Sequence, residues 1–528
     1  MNRILLLLWL PLFQALVSCT DLFSESVQVV DKQGVIDSIV VPALLPNFPD
    51  TMYASAEKLN YLVDVMDTIT SGELDGFEDL YKDAPGVFMF RGAPSRNPSF
   101  SGELHGDSVS FSVDWVFTTK MDTTHTEHGV WFGGTGWTGQ PIYIHWPDSL
   151  VRRFKTDSIA LTEHFSSKEI IIASLCGNLY FIDFETGKPS RECYDAENVL
   201  KGTPSLNPTL NGQLYVGHGV QKTTPFGNFT FDLFTHKTMS VSGRDKNAWK
   251  RWGAYDSSPV AVGGFLFRPG ENGTTYKYYI ADNQYHLHST LRYSLTKAKR
   301  SPGIESSMAV CRNYGYIADN AGNIICLNLN NLKPVWHYAN HDDTDATPVV
   351  DEEDGVPFVY TGCEVDRRGS SGISYFVKLN GLTGELVWED TVSCHKVSVG
   401  GKILDGGMYS SPLLGERDCK DLIFTNFSVN QGGVAGYFTA IDKSDGRIVY
   451  QTKTKRYCWS SPVAFYRGEE MFVFVADTGG NVYLIKGKTG EIVASTKIGR
   501  NFESSPVVVE DKVVIGSRGN KIYKISLE

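Results

Sequence analysis

The chain has 528 residues, of which 41% are hydrophobic and 21% are charged, and its formal net charge is −11. This length and composition predict a folded protein with a sizeable core and exclude a disordered or fibrous chain. The negative charge and the lack of a basic patch exclude nucleic acid as an expected partner.

The amino terminus has the pattern of a lipoprotein signal. A short charged start at residues 1–3 precedes an apolar run at residues 4–12, which is too short to span a bilayer comfortably. The run leads to Leu16-Val17-Ser18-Cys19, which resembles a lipobox. This pattern predicts a signal peptide at residues 1–18, cleavage before Cys19 and acylation of Cys19. The alternative is an ordinary signal peptide with an incidental cysteine.

If the lipobox is used, the protein is exported and held at the membrane by its lipid, since each buried CH₂ contributes about 0.8 kcal/mol. We therefore expect a lipid-anchored protein of the cell envelope, in the outer membrane, on its periplasmic or surface face.

Residues 19–86 form an acidic stalk in this interpretation. Residues 20–84 contain thirteen Asp or Glu and three Lys, a net charge of −10, so the rest of the chain is close to neutral. Helical spacing predicts one or two short helices here. The positions that carry it are Leu59, Leu62, Val63, Met66 and Ile69, followed by Leu74, Phe77 and Tyr81. The stalk is interpreted as a spacer that docks on the following domain, or alternatively as a partner-binding arm.

Residues 87–528 are organised around a repeated all-β unit, which is clearest at residues 480–506. There a hairpin with its turn at Gly490 is followed by Ser504-Ser505-Pro506 and an apolar run. The Ser-Ser-Pro element recurs in variant form, and its second residue is Thr203, Ser258, Ser307, Thr347, Ser411, Ser461 or Ser505. Between neighbouring copies the separation is commonly 40 to 50 residues, as from Ser307 to Thr347 and from Ser411 to Ser461.

That period is the length of a four-stranded propeller blade. Seven such copies and a degenerate one near Gly129-Val130-Trp131-Phe132 predict a β-propeller of about eight antiparallel blades. A propeller leaves exposed edges unless its last blade is completed from the other terminus. We therefore expect residues 521–525 to pair with residues 113–118.

The prolines of the Ser-Ser-Pro elements indicate the start of each inner strand, where a missing N–H is tolerated. The residues before these elements should then ring one mouth of the central channel. They are Lys201, Asp256, Glu305, Asp345, Tyr409, Trp459 and Glu503. Four carboxylates in a confined mouth focus a negative potential, so the ring is predicted to hold a cation or a polar ligand. The alternative is that these carboxylates only cap backbone amides and face water.

Two further features resemble the PQQ-like (pyrroloquinoline-quinone-like) β-propeller repeat family. One is the segment Phe90-Arg91-Gly92 with the nearby Arg96-Asn97, and the other is a match to the LYALDxxTGxxxW repeat at residues 438–450. The family includes the propeller lipoprotein of the outer-membrane barrel-assembly machinery and also quinoprotein dehydrogenases. The resemblance implies the propeller fold and leaves the activity open.

Dehydrogenases of this family that bind PQQ carry a vicinal Cys-Cys disulfide, a Trp beneath the cofactor and a Ca²⁺ held beside a catalytic Asp. This chain has no Cys-Cys pair, and Trp459 with the acidic ring matches only part of that cofactor site. We therefore assign no catalytic residue and expect no cofactor, with PQQ and Ca²⁺ as unsupported alternatives. The eight cysteines after Cys19 are expected to be mostly free thiols, and a Cys176–Cys193 disulfide is left open.

The sequence thus predicts a monomeric, non-catalytic envelope lipoprotein whose propeller binds a protein or another ligand. One alternative is a PQQ-dependent dehydrogenase that oxidises an alcohol or sugar. The other is a surface glycan-binding lipoprotein, with Trp131, Trp137, Tyr409 and Trp459 as stacking platforms.

Overall fold

The computed structural model describes residues 24–30, 36–42, 46–67, 79–106, 108–122, 132–136, 139–157, 160–220, 225–281, 284–295, 302–366, 372–399, 401–431 and 433–528. The predicted lipidation site Cys19 and the tryptophans Trp131 and Trp137 lie outside the described residues.

The described residues form an all-β propeller of eight blades, and each blade is built on four antiparallel strands that follow one another from the channel outwards. Blade 1 contains Ile142–His145, Lys168–Ala173, Asn178–Asp183 and Tyr194–Asp195. Blade 2 contains Ser205–Leu206, Gln213–Gly217, Asn228–Asp232 and Lys237–Val241. Blade 3 contains Val260–Val262, Phe265–Pro269, Thr274–Ala281 and Gln284–Leu295. Blade 4 contains Ala309–Cys311, Tyr314–Ala318, Asn323–Asn328 and Pro334–Ala339.

The remaining blades follow the same order around the axis. Blade 5 contains Val349–Glu353, Val356–Gly362, Gly372–Asn380 and Leu386–Cys394. Blade 6 contains Leu413–Leu414, Leu422–Ser428, Gly436–Asp442 and Ile448–Thr454. Blade 7 contains Val463–Arg467, Glu470–Ala476, Asn481–Lys486 and Ile492–Lys497. Blade 8 contains Val507–Val509, Lys512–Ser517, Lys521–Leu527 and Phe111–Thr118.

Shorter elements decorate this ring. Strands added to blades 1, 6 and 7 are Gly86–Val87, Glu364–Val365, Gly406–Gly407 and Gly102–Glu103. Separate hairpins pair Ser24–Val30 with Ile36–Pro42, Met121–Asp122 with Phe132–Gly133, and Val397–Val399 with Lys402–Leu404. The described helices are an α-helix at Asp148–Asp157 and 3₁₀ turns at Ala56–Lys58 and Arg417–Cys419. No helix among the described residues is long and apolar enough to cross a membrane.

The expected closure of the ring is confirmed. Lys521–Leu527 pairs antiparallel with Phe111–Thr118, so a strand from the start of the domain completes the last blade. The two ends of the domain are thereby held together by backbone hydrogen bonds, and the outer edge of blade 8 has the same four-strand depth as its neighbours.

The repeated turn glycine has a physical role between blades. Gly446 has a φ of +79°, and a Cβ at this position would lie 2.6 Å from the ring of Trp388 in the preceding blade. The Trp388 Nε1–H donates to the carbonyl of Lys443 at 2.9 Å in the same turn. Gly384 lies against the ring of Trp336 in the same way, and Gly187 lies against the ring of Trp115 in the closing strand. The aromatic residue of one blade thus docks on the turn of the next, which explains why the glycine and the aromatic position recur together.

The Ser-Ser-Pro elements link neighbouring inner strands. The backbone N–H of Ser258 donates to the hydroxyl of Ser307 at 2.9 Å, and the N–H of Ser307 donates to Thr347 at 2.9 Å. The N–H of Ser411 likewise donates to Ser461 at 3.0 Å, and that of Ser461 donates to Ser505 at 3.1 Å. A short hydroxyl residue is required at these positions because it accepts a bond across the blade boundary.

The central channel is filled by a plug, which is the segment at residues 88–97. The guanidinium of Arg91 donates to the carbonyls of Pro462 at 2.9 Å and Pro412 at 2.5 Å, in blades 7 and 6. The guanidinium of Arg96 donates to the carbonyls of Met308 at 2.8 Å and Ser258 at 2.9 Å, in blades 4 and 3. Both arginines are fully buried. Burial lowers the pKa of Arg91 to about 9 and that of Arg96 to about 10.

Two predictions need correction, and the question of the disulfide, which the sequence left open, is answered. Leu59–Val65 is a strand that pairs with Gln284–Leu295 and widens blade 3, so the helix predicted from the spacing of Leu59, Leu62 and Val63 is wrong there.

The start of blade 1 also differs from the prediction. The N–H of Gln140 donates to Thr203 at 2.8 Å, and the inner strand Ile142–His145 follows. The start predicted near Gly129 is therefore too early. The eight described cysteines are free, so the Cys176–Cys193 disulfide is absent from this structure.

Replacing Arg96 by Ala is expected to lower the free energy of unfolding by about 3 kcal/mol or more. The change leaves buried carbonyls of blades 3 and 4 without a donor, and a hydrogen bond to a charged group contributes roughly 1.5–3 kcal/mol. Urea denaturation measures the effect. Arg447→Ala removes an arginine whose side chain is 63% exposed and should change stability by less than about 0.5 kcal/mol. Equal stability of the two variants would contradict a structural role for the plug.

Candidate functional site

The seven residues that precede the inner strands meet at one mouth of the channel, where contacts or electrostatic interactions link neighbouring members. We call this region the acidic mouth and define it by the seven ring residues and five neighbours. Its members are Lys201, Asp256, Glu271, Glu305, Asp343, Asp345, Glu364, Tyr409, Tyr457, Trp459, Glu503 and Arg518. The plug lies behind the mouth, since its arginines bind carbonyls two or three residues further along the inner strands.

One side of the acidic mouth is a lysine among three carboxylates. Lys201 Nζ lies 2.7 Å from Asp256 Oδ2 and 3.7 Å from a carboxylate oxygen of Glu271. Carboxylate oxygens of Asp256, Glu271 and Glu305 lie within 4.8 Å of one another. The side chain of Asp256 is fully buried and that of Glu271 is 5% exposed. Lys201 therefore faces three desolvated acids.

A second acidic group continues around the ring. Carboxylate oxygens of Asp343, Asp345 and Glu364 also lie within 4.8 Å of one another. The hydroxyl of Tyr409 lies near the carboxyl of Glu364, whose negative charge adds to burial in raising the pKa of Tyr409, and this interaction connects the group to the aromatic side of the mouth. Like charges this close repel one another unless protons or a cation neutralise them.

The opposite side of the acidic mouth is aromatic. The rings of Tyr409 and Trp459 stack with centroids 4.5 Å apart, and Tyr457 contacts Trp459 at 5.3 Å. Beyond them Glu503 accepts a hydrogen bond from Asn501 at 2.8 Å and lies 3.6 Å from Arg518. The arginine of this pair balances Glu503, so the surplus of negative charge is confined to the two acidic groups.

Burial is the largest influence on these carboxyl groups. Burial and the neighbouring Glu271 raise the pKa of Asp256 to about 7, in spite of the opposing effect of Lys201. Burial and the carboxylate of Asp345 raise the pKa of Glu305 well above its ordinary value. Burial raises the pKa of Asp345 and of Glu364 in the same direction, and their acidic neighbours add to the effect. At neutral pH these groups therefore hold protons or require a positively charged ligand.

The hydrogen bonding of the carboxylates is incomplete. Among the described residues, one oxygen each of Asp256, Glu271, Asp345 and Glu364 is buried without a hydrogen-bond partner. Oxygen ligands of this kind suit a hard cation such as Ca²⁺, and they equally suit an ammonium or guanidinium group. Either acidic group offers three carboxylates to such a cation.

Sequence reasoning found the ring but missed Glu271, Asp343 and Glu364, which complete the two acidic groups. Glu271 and Glu364 follow the second strand of a blade, after Phe265–Pro269 and Val356–Gly362 respectively. In an antiparallel hairpin the end of the second strand lies beside the start of the first. Acidic residues just after the second strand were thus the signal that would have placed them at the mouth.

In the absence of divalent cations, stability is expected to fall as the pH rises from about 4 to about 7. The buried carboxyls have raised pKa values, whereas their unfolded values lie near 4. The folded state therefore binds more protons in this window, and each extra proton costs about 1.4 kcal/mol of stability per pH unit. Urea denaturation in EDTA at several pH values measures the slope.

Glu305→Gln should flatten this pH dependence because it removes one of the acids without breaking the Lys201–Asp256 ion pair. Glu491→Gln changes an exposed carboxyl and serves as the matched control. Stability that rises with pH, or an unchanged slope in Glu305→Gln, would contradict the description of the mouth as a cluster of desolvated acids.

Sequence comparison supports the repeat at the carboxyl end of the chain. Residues 434–528 match the family model described as outer membrane protein assembly factor BamB. The beta-alanine-activating enzyme of Homo sapiens is 31% identical over 85 residues, which cover 16% of this chain and 8% of that protein. Its Danio rerio counterpart is 28% identical over 105 residues, which cover 19% of this chain and 9% of that protein. The chain thus spans less than a tenth of these curated relatives.

Comparison with solved structures concerns the fold. A europium-containing methanol dehydrogenase aligns with a TM-score of 0.57 at 12% identity, over 84% of this chain and 99% of that chain. The quinohemoprotein alcohol dehydrogenase ADHIIG of Pseudomonas putida HK5 aligns with a TM-score of 0.59 at 11% identity, over 85% of this chain and 81% of that chain. The chain therefore has the PQQ-like eight-bladed propeller fold, with a match to the BamB family model in residues 434–528.

Proposed function

We propose that this chain is a non-catalytic binding propeller of the cell envelope, tethered by a lipid on Cys19, whose acidic mouth receives a cationic side chain of a partner protein. The observation that carries the proposal is the buried surplus of negative charge at the mouth. Asp256, Glu271 and Glu305 face Lys201, and the group of Asp343, Asp345 and Glu364 adds further acids.

A lysine or arginine of a partner suits this surplus. Its ammonium or guanidinium group would donate to the carboxylate oxygens that lack a partner, and charge-assisted hydrogen bonds of this kind are the stronger ones. The stacked Tyr409 and Trp459 beside the acids would contact the apolar stem of such a side chain. The family model that matches residues 434–528 is described as a protein assembly factor, which agrees with a protein partner.

The dehydrogenase alternative is favoured by the likeness of fold to two alcohol-oxidising enzymes, and the side chains of the mouth argue against it. PQQ is a tricarboxylate, so its anionic groups would meet acidic residues in place of the cations that they need. The vicinal disulfide of such enzymes is also missing here. Cys363 and Cys458 adjoin the mouth residues Glu364 and Trp459 in the sequence, and both are buried free thiols that are not adjacent to each other in the chain. The donor set of the mouth therefore does not fit PQQ, and we derive no redox step.

The glycan-binding alternative needs an open aromatic face. Tyr409 is 8% exposed and stacks on Trp459, so the aromatic faces at the mouth are largely used by each other. A sugar ring would have to displace this contact before it could stack. The mouth thus favours a narrow cationic group over a glycan.

The membrane part of the proposal rests on the lipobox-like sequence before Cys19. In the native host, wild-type protein should incorporate radiolabelled palmitate and fractionate with membranes. Cys19→Ser should lose both the label and the membrane association, while Cys176→Ser, a cysteine inside the propeller, should retain both. Membrane association of unlabelled Cys19→Ser would contradict the lipid anchor.

Titration of the full-length Cys19→Ser chain tests the binding role. Hexalysine should raise its stability, by roughly 2.7 kcal/mol at 100 times the Kd, and hexalysine acetylated on its side chains should not. The effect should be lost in Glu305→Gln and kept in Glu491→Gln. PQQ with Ca²⁺ should cause neither stabilisation nor an absorbance change.

The other outcomes decide between the alternatives. Stabilisation that requires PQQ and is lost in Trp459→Ala would support the dehydrogenase and overturn the proposal. Stabilisation by Ca²⁺ without any by hexalysine would make the mouth a metal site and contradict the docking of a side chain. No response to hexalysine would contradict the proposal as well.

A further inference from the structure

A second cavity lies between blades 2 and 3, away from the channel axis. Its volume is about 370 Å³, which is in the range of small-molecule sites. Five tyrosines line it, and we call it the tyrosine pocket. They are Tyr215, Tyr255, Tyr276, Tyr278 and Tyr285.

The pocket contains a buried cation without a matching carboxylate. Arg268 is 2% exposed and donates from Nη1 to the carbonyl of Val216 at 3.0 Å, while its Nε lacks a hydrogen-bond partner. Among the described residues, no carboxylate lies within 4.0 Å of the Arg268 guanidinium. Burial lowers the pKa of this arginine to about 10, which reflects the cost of its desolvation.

The second arginine of the pocket shows the contrast. Arg292 pairs with Asp64 and lies 3.4 Å from Asp245, so its charge is balanced within the protein. Asp245 also accepts a hydrogen bond from the hydroxyl of Tyr276 at 2.8 Å. The two arginines are thus equal in number to the two carboxylates, but both carboxylates lie on Arg292, so Arg268 is the one without an ion-pair partner within 4.0 Å among the described residues.

The tyrosines give the pocket aromatic faces and hydroxyl groups. Tyr276 and Tyr278 are stacked, with centroids 6.0 Å apart and 21° between their planes, and Tyr278 and Tyr285 meet edge to face at 6.3 Å. Tyrosine faces bind flat rings, and their hydroxyls donate and accept hydrogen bonds.

We propose that the tyrosine pocket binds a small organic anion that consists of a single carboxylate on a flat ring. The carboxylate accepts hydrogen bonds from the guanidinium of Arg268, and the ring packs on the tyrosine faces. A carboxylate matches the planar fork of a guanidinium. A phosphate dianion fits less well because its second charge would lie beside Asp245 in the same wall. This site does not depend on the role proposed for the acidic mouth.

Calorimetric titration of the full-length Cys19→Ser chain with 4-hydroxybenzoate, and with its neutral analogue 4-hydroxybenzamide, tests the proposal. The acid should bind at least tenfold more tightly than the amide, and Arg268→Gln should abolish this preference. Equal affinity for the two compounds, no detectable binding of the acid, or an unchanged preference in Arg268→Gln would overturn it.

A second variant keeps the test valid if Arg268→Gln does not fold. Val241 lies in the pocket wall on the outer strand of blade 2 and is 40% exposed, so Val241→Trp should fill the pocket and block binding of 4-hydroxybenzoate without disturbing the core. Val449→Trp is the matched control, because Val449 is 39% exposed on the outer strand of blade 6. Binding retained in Val241→Trp, or lost equally in Val449→Trp, would place the ligand elsewhere and contradict the proposal.

Discussion

The structure depends on two buried guanidinium groups that hold the centre of the propeller. Arg91 and Arg96 donate to carbonyls of four different inner strands, and the hydroxyls of the Ser-Ser-Pro elements link the same strands to their neighbours. A ring of eight twisted sheets leaves inner edges whose backbone groups need partners. The plug supplies some of these partners and fills the space behind the mouth. The candidate binding site is therefore at the mouth of the channel and not inside it.

The plug and the mouth together are the basis of the binding role that we propose. The carboxylates of the mouth are fixed by rigid inner strands and are desolvated by their position, which raises the pKa of Asp256 to about 7. They are therefore poised to exchange a proton or accept a cation. PQQ, the tricarboxylate of the dehydrogenase alternative, is poorly matched to these acids.

Much of the fold was predictable because each blade repeats the same sequence pattern for the same contacts with its neighbours. The turn glycine and the docked aromatic residue recur together, as in Gly446 with Trp388, and the closing strand followed from the need to cover an edge. The strand at Leu59–Val65 was misassigned because the spacing of its apolar residues fits a helix as well as a strand. Only the pairing with blade 3 selects the extended form. Glu271, Glu364 and the plug arginines were missed since their roles depend on contacts between distant segments.

The measurement that tests the central claim most directly is site-specific photocrosslinking in the native host. The photoreactive amino acid p-benzoylphenylalanine would be placed at Trp459 in the acidic mouth and, as a control, at Leu386, which is exposed on the outer strand of blade 5. We expect a protein adduct from position 459 that disappears when Glu305→Gln and Asp345→Asn are added, and no such adduct from position 386. An adduct that persists without these acids, or the absence of any adduct at position 459, would contradict a mouth that docks a cationic partner.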